Sequence, residues 1–219
     1  MPDLSQTSPA AFNCQGGLVL NRSTFLMQPG EALELQNFEP DIEGGYRRIN
    51  GFSKYVTAVV PQTSSSTEQV LMVATFGDFV VAARGEKIFT ATAGGSSWTE
   101  RDTGRTSAGT YAFERFNFDG NNKLIVVDGA NAPTVFNTSM SATDVSESSV
   151  AGSKFVTAFK SHTFYAGKSS TPQTLVFSVP FDEDDFTTGS GAGSIKVDDT
   201  ITGLKVFRDN LFIFCENRI

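Results

Sequence analysis

The chain has 219 residues, 39% of them apolar, with a net charge of −7 and an isoelectric point near 4.7. That apolar share is enough to bury a core, and the acidic balance argues against a protein whose main task is gripping phosphates, which needs a basic face. The aromatics are 20 Phe against four Tyr and one Trp, a choice that suits core filling better than sugar stacking, because Phe has no polar handle.

The N-terminal stretch MPDLSQTSPAAF has neither a basic n-region nor an apolar h-region, so it reads as no signal peptide. No window approaches the ~20 apolar residues that span a bilayer, and the chain is expected to stay soluble in the compartment where it is made. Cys14 and Cys215 lie near opposite ends without CxxC or zinc spacing and read as two reduced thiols. Residues 1–68 lack repeat character and are read as a non-repeating N-terminal arm and docking segment. Pro29-Gly30 marks a turn, an amphipathic stretch covers Glu31–Phe38, and Gly44-Gly45 marks a sharp turn into YRRINGF. As a strand, that segment places Tyr46, Arg48 and Asn50 on one face and Arg47, Ile49 and Gly51 on the other. Arg47 or Arg48 would then pair with Glu39, Asp41 or Glu43 across the turn; the alternative is a phosphate or carboxylate ligand.

From Gln69 onward, short runs of Val, Ile, Phe and Thr alternate with Gly, Asn, Asp and Ser, the pattern of many short antiparallel strands. The runs repeat. Units near 69–110, 111–152 and 153–200 each give strand, polar turn, strand, and a fourth begins at 201–219. A Phe closes the first strand of each, at Phe76, Phe118, Phe159 and Phe207, spaced 42, 41 and 48 residues apart. Gly85, Gly129 and Gly167 follow the second strands, and Asn217 stands in the fourth unit, so a positive φ is expected at all four. Units recurring every ~40–50 residues are what β-propeller blades look like in sequence. The fold class expected is all-β: a β-propeller-like array of repeated antiparallel hairpin units, incomplete at residues 69–219. A meander in a sandwich is the alternative. ATAGGSSWTE (91–100) matches the Asp-box turn of sialidase-type propellers at Gly95, Ser97 and Trp98 but has Ala91 and Ala93 where Ser and Asp are expected.

Chemistry is hard to build from these residues. His162, the single histidine, sits in the turn KSHTF and reads as an exposed turn residue. Asp182-Glu183-Asp184-Asp185 are adjacent carboxylates in a flexible loop, which lack both the opposed geometry of a glycosidase and the spacing of a calcium loop. GSGAGS (189–194) lacks the Lys and the helix of a phosphate loop. The expectation is therefore no enzyme, no catalytic residue, no cofactor and no metal. LFIFCENRI ends the sequence on an apolar strand whose open edge invites pairing, so either the natural polypeptide continues or another chain covers that edge.

The block G-G-L…G-E-A…N-F-E-x-D-x-x-G-G-Y-R-R-I-x-G-F, with the later HTFYAGKSSTPQTLVFSVPFDEDDFTTGSGAGSIKVDDTITGLKVFRDNLFIFCENRI, resembles a group of tailed-bacteriophage virion proteins. These are the tail-hub and nozzle proteins, sometimes called packaged-DNA stabilisation proteins. The resemblance implies propeller-like β domains assembled as a ring below the portal, in the virion tail or neck, put together in the host cytoplasm. Its implied partners are further copies of itself and neighbouring tail or portal and adaptor proteins, with DNA only as passing cargo and no membrane insertion. Interface residues expected on this reading are Tyr46, Arg47, Arg48 and Phe52 in the arm and Leu211, Phe212 and Phe214 at the C-terminal edge. An acidic wall would let DNA slide past. The alternatives are an extracellular carbohydrate-binding or sialidase-like propeller without catalytic residues, and a cellular interaction propeller.

Overall fold

A computed structural model describes residues 16–42, 45–64 and 67–219; Cys14, Glu43 and Gly44 lie outside them. The chain divides into two compact units, one ending at Ser53 and one running from Lys54 to Ile219.

The first unit contains only short elements. Strands β1 (Gly17–Leu18) and β2 (Glu31–Ala32) pair in parallel, with a 3-10 turn at Thr24–Leu26 between them. β3 (Phe38–Pro40) and β4 (Tyr46–Arg48) form an antiparallel ribbon. The amphipathic stretch at Glu31–Phe38 is thus split between two strands rather than forming one element. No side chain among the described residues of this unit is buried, and Phe25, Ile42 and Phe52 are each more than 95% exposed.

The second unit is built of four-stranded antiparallel meanders in chain order. The first is β5 (Val70–Phe76), β6 (Phe79–Arg84), β7 (Lys87–Thr92) and β8 (Thr99–Thr103). The second is β9 (Ala112–Phe118), β10 (Asn121–Val127), β11 (Thr134–Phe136) and β12 (Ala142–Asp144). The third is β13 (Phe155–Phe159), β14 (His162–Ala166), β15 (Thr174–Phe177) and β16 (Gly193–Lys196). A final hairpin, β17 (Ile201–Phe207) and β18 (Asn210–Cys215), has two strands. The helical elements among the described residues are the turn at 24–26 and a second 3-10 turn at Thr188–Ser190.

First strands stand side by side: β9 lies against β5 and β13, and β17 against β13. The sheets therefore stack face to face around their first strands, the arrangement of propeller blades. This all-β, propeller-like array explains the sequence of β10. Leu124 and Val126 belong to the core shared with the first sheet, which includes Val81, Ala83, Ile88 and Phe136. Ile125 and Val127, on the opposite face by strand alternation, join the core shared with the third sheet, with Val156 and Tyr165. A strand buried on both faces loses the polar alternation of a half-exposed one.

The four Phe residues that close β5, β9, β13 and β17 each precede a two-residue turn. Positive φ occurs at both central residues of Asp119-Gly120, Lys160-Ser161 and Arg208-Asp209, and at Gly77 of Gly77-Asp78. Such primed turns match the right-handed twist of the flanking strands. Positive φ also holds at Gly85, Gly129 and Gly167 but not at Asn217, contrary to the sequence expectation. Asn217 instead donates its backbone N–H and its side-chain amide to Asp199 Oδ2 at 2.8 and 3.1 Å, a side-chain tie that replaces the backbone role.

Candidate docking surfaces and buried polar clusters

Residues 54–64, read in the sequence as part of the arm for lack of repeat character, pack on the first sheet, as does Glu68. Gly94 N–H donates to the Tyr55 carbonyl and Thr57 N–H to that of Gly95, at 2.8 and 3.1 Å. Trp98 Nε1 donates to the Ala58 carbonyl at 3.0 Å, and Arg84 donates to the carbonyls of Val60 and Glu68 at 2.5 and 3.1 Å. Trp98 thus anchors this strap, a role its place in the Asp-box-like turn does not suggest. The strap ends in a carboxylate cap, with Glu68 accepting the backbone N–H groups of Thr63 and Ser64 at 2.7 and 2.8 Å and both hydroxyls. Those bonds, Ser64's hydroxyl first, hold its pKa down to about 2. Gly85 makes room for the cap: a Cβ there would lie 2.1 Å from Thr63 Oγ1 and 2.6 Å from the Glu68 carboxyl.

The strap covers the face of the first sheet that points away from the second. Ala82 and Phe89, cross-strand partners on that face, are 0% and 4% exposed. At the other end of the stack, alternation along β18 splits its side chains. Leu211, Ile213 and Cys215 pack toward the third sheet, against Ala166 and Leu175. Phe212 and Phe214 point the other way and are each 36% exposed, and Phe207 beside them is 58% exposed. Among the described residues β18 pairs only with β17, so its outer edge keeps unpaired backbone groups. Cys215 carries a free thiol.

The arm residues sit on the β3–β4 ribbon. Arg47 is opposite Glu39 and its Nε donates to Glu39 Oε1 at 2.9 Å, while Arg48 is opposite Phe38 and exposed. Tyr46 meets Phe38 edge to face at 5.6 Å. The arginine–carboxylate pair is exposed on both sides and contributes at most ~1 kcal/mol. Phe52 follows the ribbon with its ring in solvent. Tyr46, Arg47, Arg48 and Phe52 lie in one unit and Leu211, Phe212 and Phe214 in the other.

Two buried polar clusters went unread in the sequence. Arg105, in the connector between the first two sheets, is 6% exposed. It donates to Asp102 and Asp144 at 2.5 and 2.8 Å and to the Ala132 carbonyl at 2.6 Å, with Asp128 at 3.8 Å. Asp128 in turn accepts the N–H groups of Ala130 and Asn131. Burial, then the Asp128 charge, pushes the nearby Tyr111 phenol up to about 12. In the second cluster, Lys123 of the second sheet pairs with Glu183, which is 3% exposed. The acidic run at 182–185 is therefore folded onto its neighbour rather than loose. Val179 N–H donates to the Asp185 carbonyl, and Asp182 and Asp185 cap local N–H groups. His162 is likewise half-buried. Its Nδ1 lies 2.6 Å from the Ser178 carbonyl, which can only accept, so Nδ1 carries the proton, and its ring meets Phe177 edge to face.

Among the described residues no group of three or more His, Cys, Asp or Glu is placed to hold a metal, and no helix is long and apolar enough to cross a membrane. No family model matches the chain, and no curated protein matches it. Among solved structures it is similar to one described as YCF48 bound to D1 peptide, at 10% identity and a TM-score of 0.47, over 72% of this chain and 49% of that one. It is also similar to the Pan2 WD40 domain of Neurospora crassa, at 9% identity and a TM-score of 0.38, over 66% and 46%. The chain spans about half the length of these structures, and likeness at this level bears on neither activity nor partner.

Proposed function

We propose that the chain is a structural subunit of a tailed-phage virion, in the tail or neck, that forms part of a ring around the DNA conduit. The observation that carries the assembly is the bare outer face and edge of the β17–β18 hairpin. There Phe207 is 58% exposed and Phe212 and Phe214 are each 36% exposed beside unpaired backbone groups, whereas the outward face of the first sheet, on the opposite side of that unit, is covered by the strap. A strand or sheet from another copy laid on that face buries the three rings and satisfies the edge. The arm gives a second contact, since Phe25, Ile42 and Phe52 have no apolar cover and aromatic anchors dominate interface energies. The phage assignment rests on the N-terminal block from Gly16 to Phe52 and the hairpin block at its C-terminal end. Its partners are further copies and neighbouring tail or portal and adaptor proteins, with DNA passing without specific contact.

The test is electron microscopy of virions carrying the wild-type chain or Phe214→Asp. The reading expects ring density holding this chain in the tail or neck, and loss of tails or of infectivity in the variant. Purified infectious virions that lack the chain altogether would refute it.

A further inference from the structure

A cleft of about 340 Å³ opens on the outer half of the third sheet. Its floor is Val176, Phe177 and Phe186. Its walls come from the loop after β12, the loop between β14 and β15, the 3-10 turn at 188–190 and the edge of β16. With Thr174 of β15 they supply six Ser and Thr hydroxyls together with one carboxylate, Glu147, and one ammonium, Lys168. The size lies at the small end of ligand sites, and an apolar floor with a few converging polar groups is their usual make-up.

The cleft is held in shape before any ligand arrives. Phe177 is backed by Phe164 at 5.5 Å and by His162 at 5.6 Å, and Phe186 by Tyr165 at 5.8 Å. Position 193 has to be glycine for Phe177 to seat against β16, since a Cβ there would lie 2.8 Å from the ring tip. Lys168 Nζ donates to the Ser148 carbonyl at 2.6 Å and so ties two of the wall loops together. Glu147 accepts the Ser149 N–H at 2.9 Å.

We infer that this cleft binds a small neutral saccharide. An anion is disfavoured because the one ammonium is already engaged and a carboxylate stands in the same cleft. A metal cation is disfavoured because that carboxylate is alone. A purely apolar ligand would leave the hydroxyl walls unpaired. A sugar ring matches both surfaces at once, with its C–H face on Phe177 and Phe186 and its hydroxyls toward Thr171, Thr174, Ser194 and the charged pair. The abundance of Phe still serves mainly the cores; these two rings are the exception.

The test is saturation-transfer NMR on the full chain with maltose, lactose and cellobiose, and with sialyllactose and glucose 6-phosphate as anionic ligands. At least one neutral sugar should show transfer, weakened tenfold or more by Ser194→Trp, which fills the cleft from an exposed edge position, and by Phe177→Leu, which keeps bulk but loses the flat face. Thr138→Trp, in a separate concavity, should leave it unchanged. If Phe177→Leu fails to fold, Ser194→Trp decides alone. Transfer to none of the neutral sugars, transfer undiminished in Ser194→Trp, or stronger binding of either anion would overturn the inference. None of these outcomes depends on whether the chain is found in virions.

Discussion

The two ends of the sheet stack are built from the same kind of hairpin and finish differently. At the first sheet, residues 54–64 lie across the face that has no neighbouring sheet among the described residues, and Ala82 and Phe89 are buried. At the last hairpin the outward face, on the opposite side of the unit, carries Phe207 at 58% exposure and Phe212 and Phe214 at 36%. Local sequence is alike at both ends: a Phe closes the first strand, a tight turn follows, and a run of apolar residues makes the second strand. Burial is therefore decided by what is laid on a strand and not by the strand itself.

The comparison breaks most visibly where two sheets already meet. Phe136→Ala, fully buried between the first two sheets, should cost about 3–5 kcal/mol in urea unfolding. Arg105→Ala should cost a similar ~3–5 kcal/mol, because it leaves Asp102, Asp128 and Asp144 without their buried counter-charge. Phe214→Ala in the isolated chain should cost under about 1 kcal/mol, the usual range for an exposed position, and a loss as large as that of Phe136 would mean its face is already covered.

The covered end is sharpened by Gly85→Ala. A side chain there must hold φ near +58° and displace the Glu68 cap, so a loss of about 2 kcal/mol is expected, with faster amide exchange at Thr63 and Ser64.

A pH titration separates two carboxylates of opposite sign. Glu68 has a lowered folded pKa, so its contribution is present above the ordinary carboxylate range and is lost as pH falls toward about 2. Glu114, on β9 facing Thr157 of β13, has its pKa raised mainly by burial. The folded state holds its proton more tightly than the unfolded chain does, so stability is lost as pH rises from the ordinary carboxylate range through the folded value. Glu68→Gln should flatten the acid limb of the stability curve, while Glu114→Gln should raise stability at neutral pH. Unchanged curves for both would remove these assignments. The smallest effect is expected at the third turn, where Lys160 and Ser161 both hold positive φ: Lys160→Asn with Ser161→Gly should stabilise by about 0.5–1 kcal/mol in thermal unfolding.

Much of this architecture is legible in the sequence because its signals are local. Phe76, Phe118, Phe159 and Phe207 fall at strand ends, and the polar pairs after them form the turns, because turn chemistry is fixed by two residues. The Arg47–Glu39 pair was one of the options posed by a strand crossing the turn. What stayed hidden depends on residues far apart in the chain. Arg105 meets Asp144 across 39 positions and Lys123 meets Glu183 across 60, and nothing in spacing reveals either. The same holds for the strap, whose hold on the first sheet runs through backbone carbonyls that any sequence possesses. The saccharide cleft is assembled from four separate segments, none with a motif of its own.

The proposed ring places another copy of the chain on the exposed face of the β17–β18 hairpin. Sedimentation velocity of the purified chain over a wide concentration range tests it most directly, with Phe212→Asp/Phe214→Asp as the comparison. The account predicts a discrete oligomer for the wild type and a folded monomer for the double variant. A wild-type chain that stays monomeric at the highest concentration, or a double variant that assembles just as well, would contradict it.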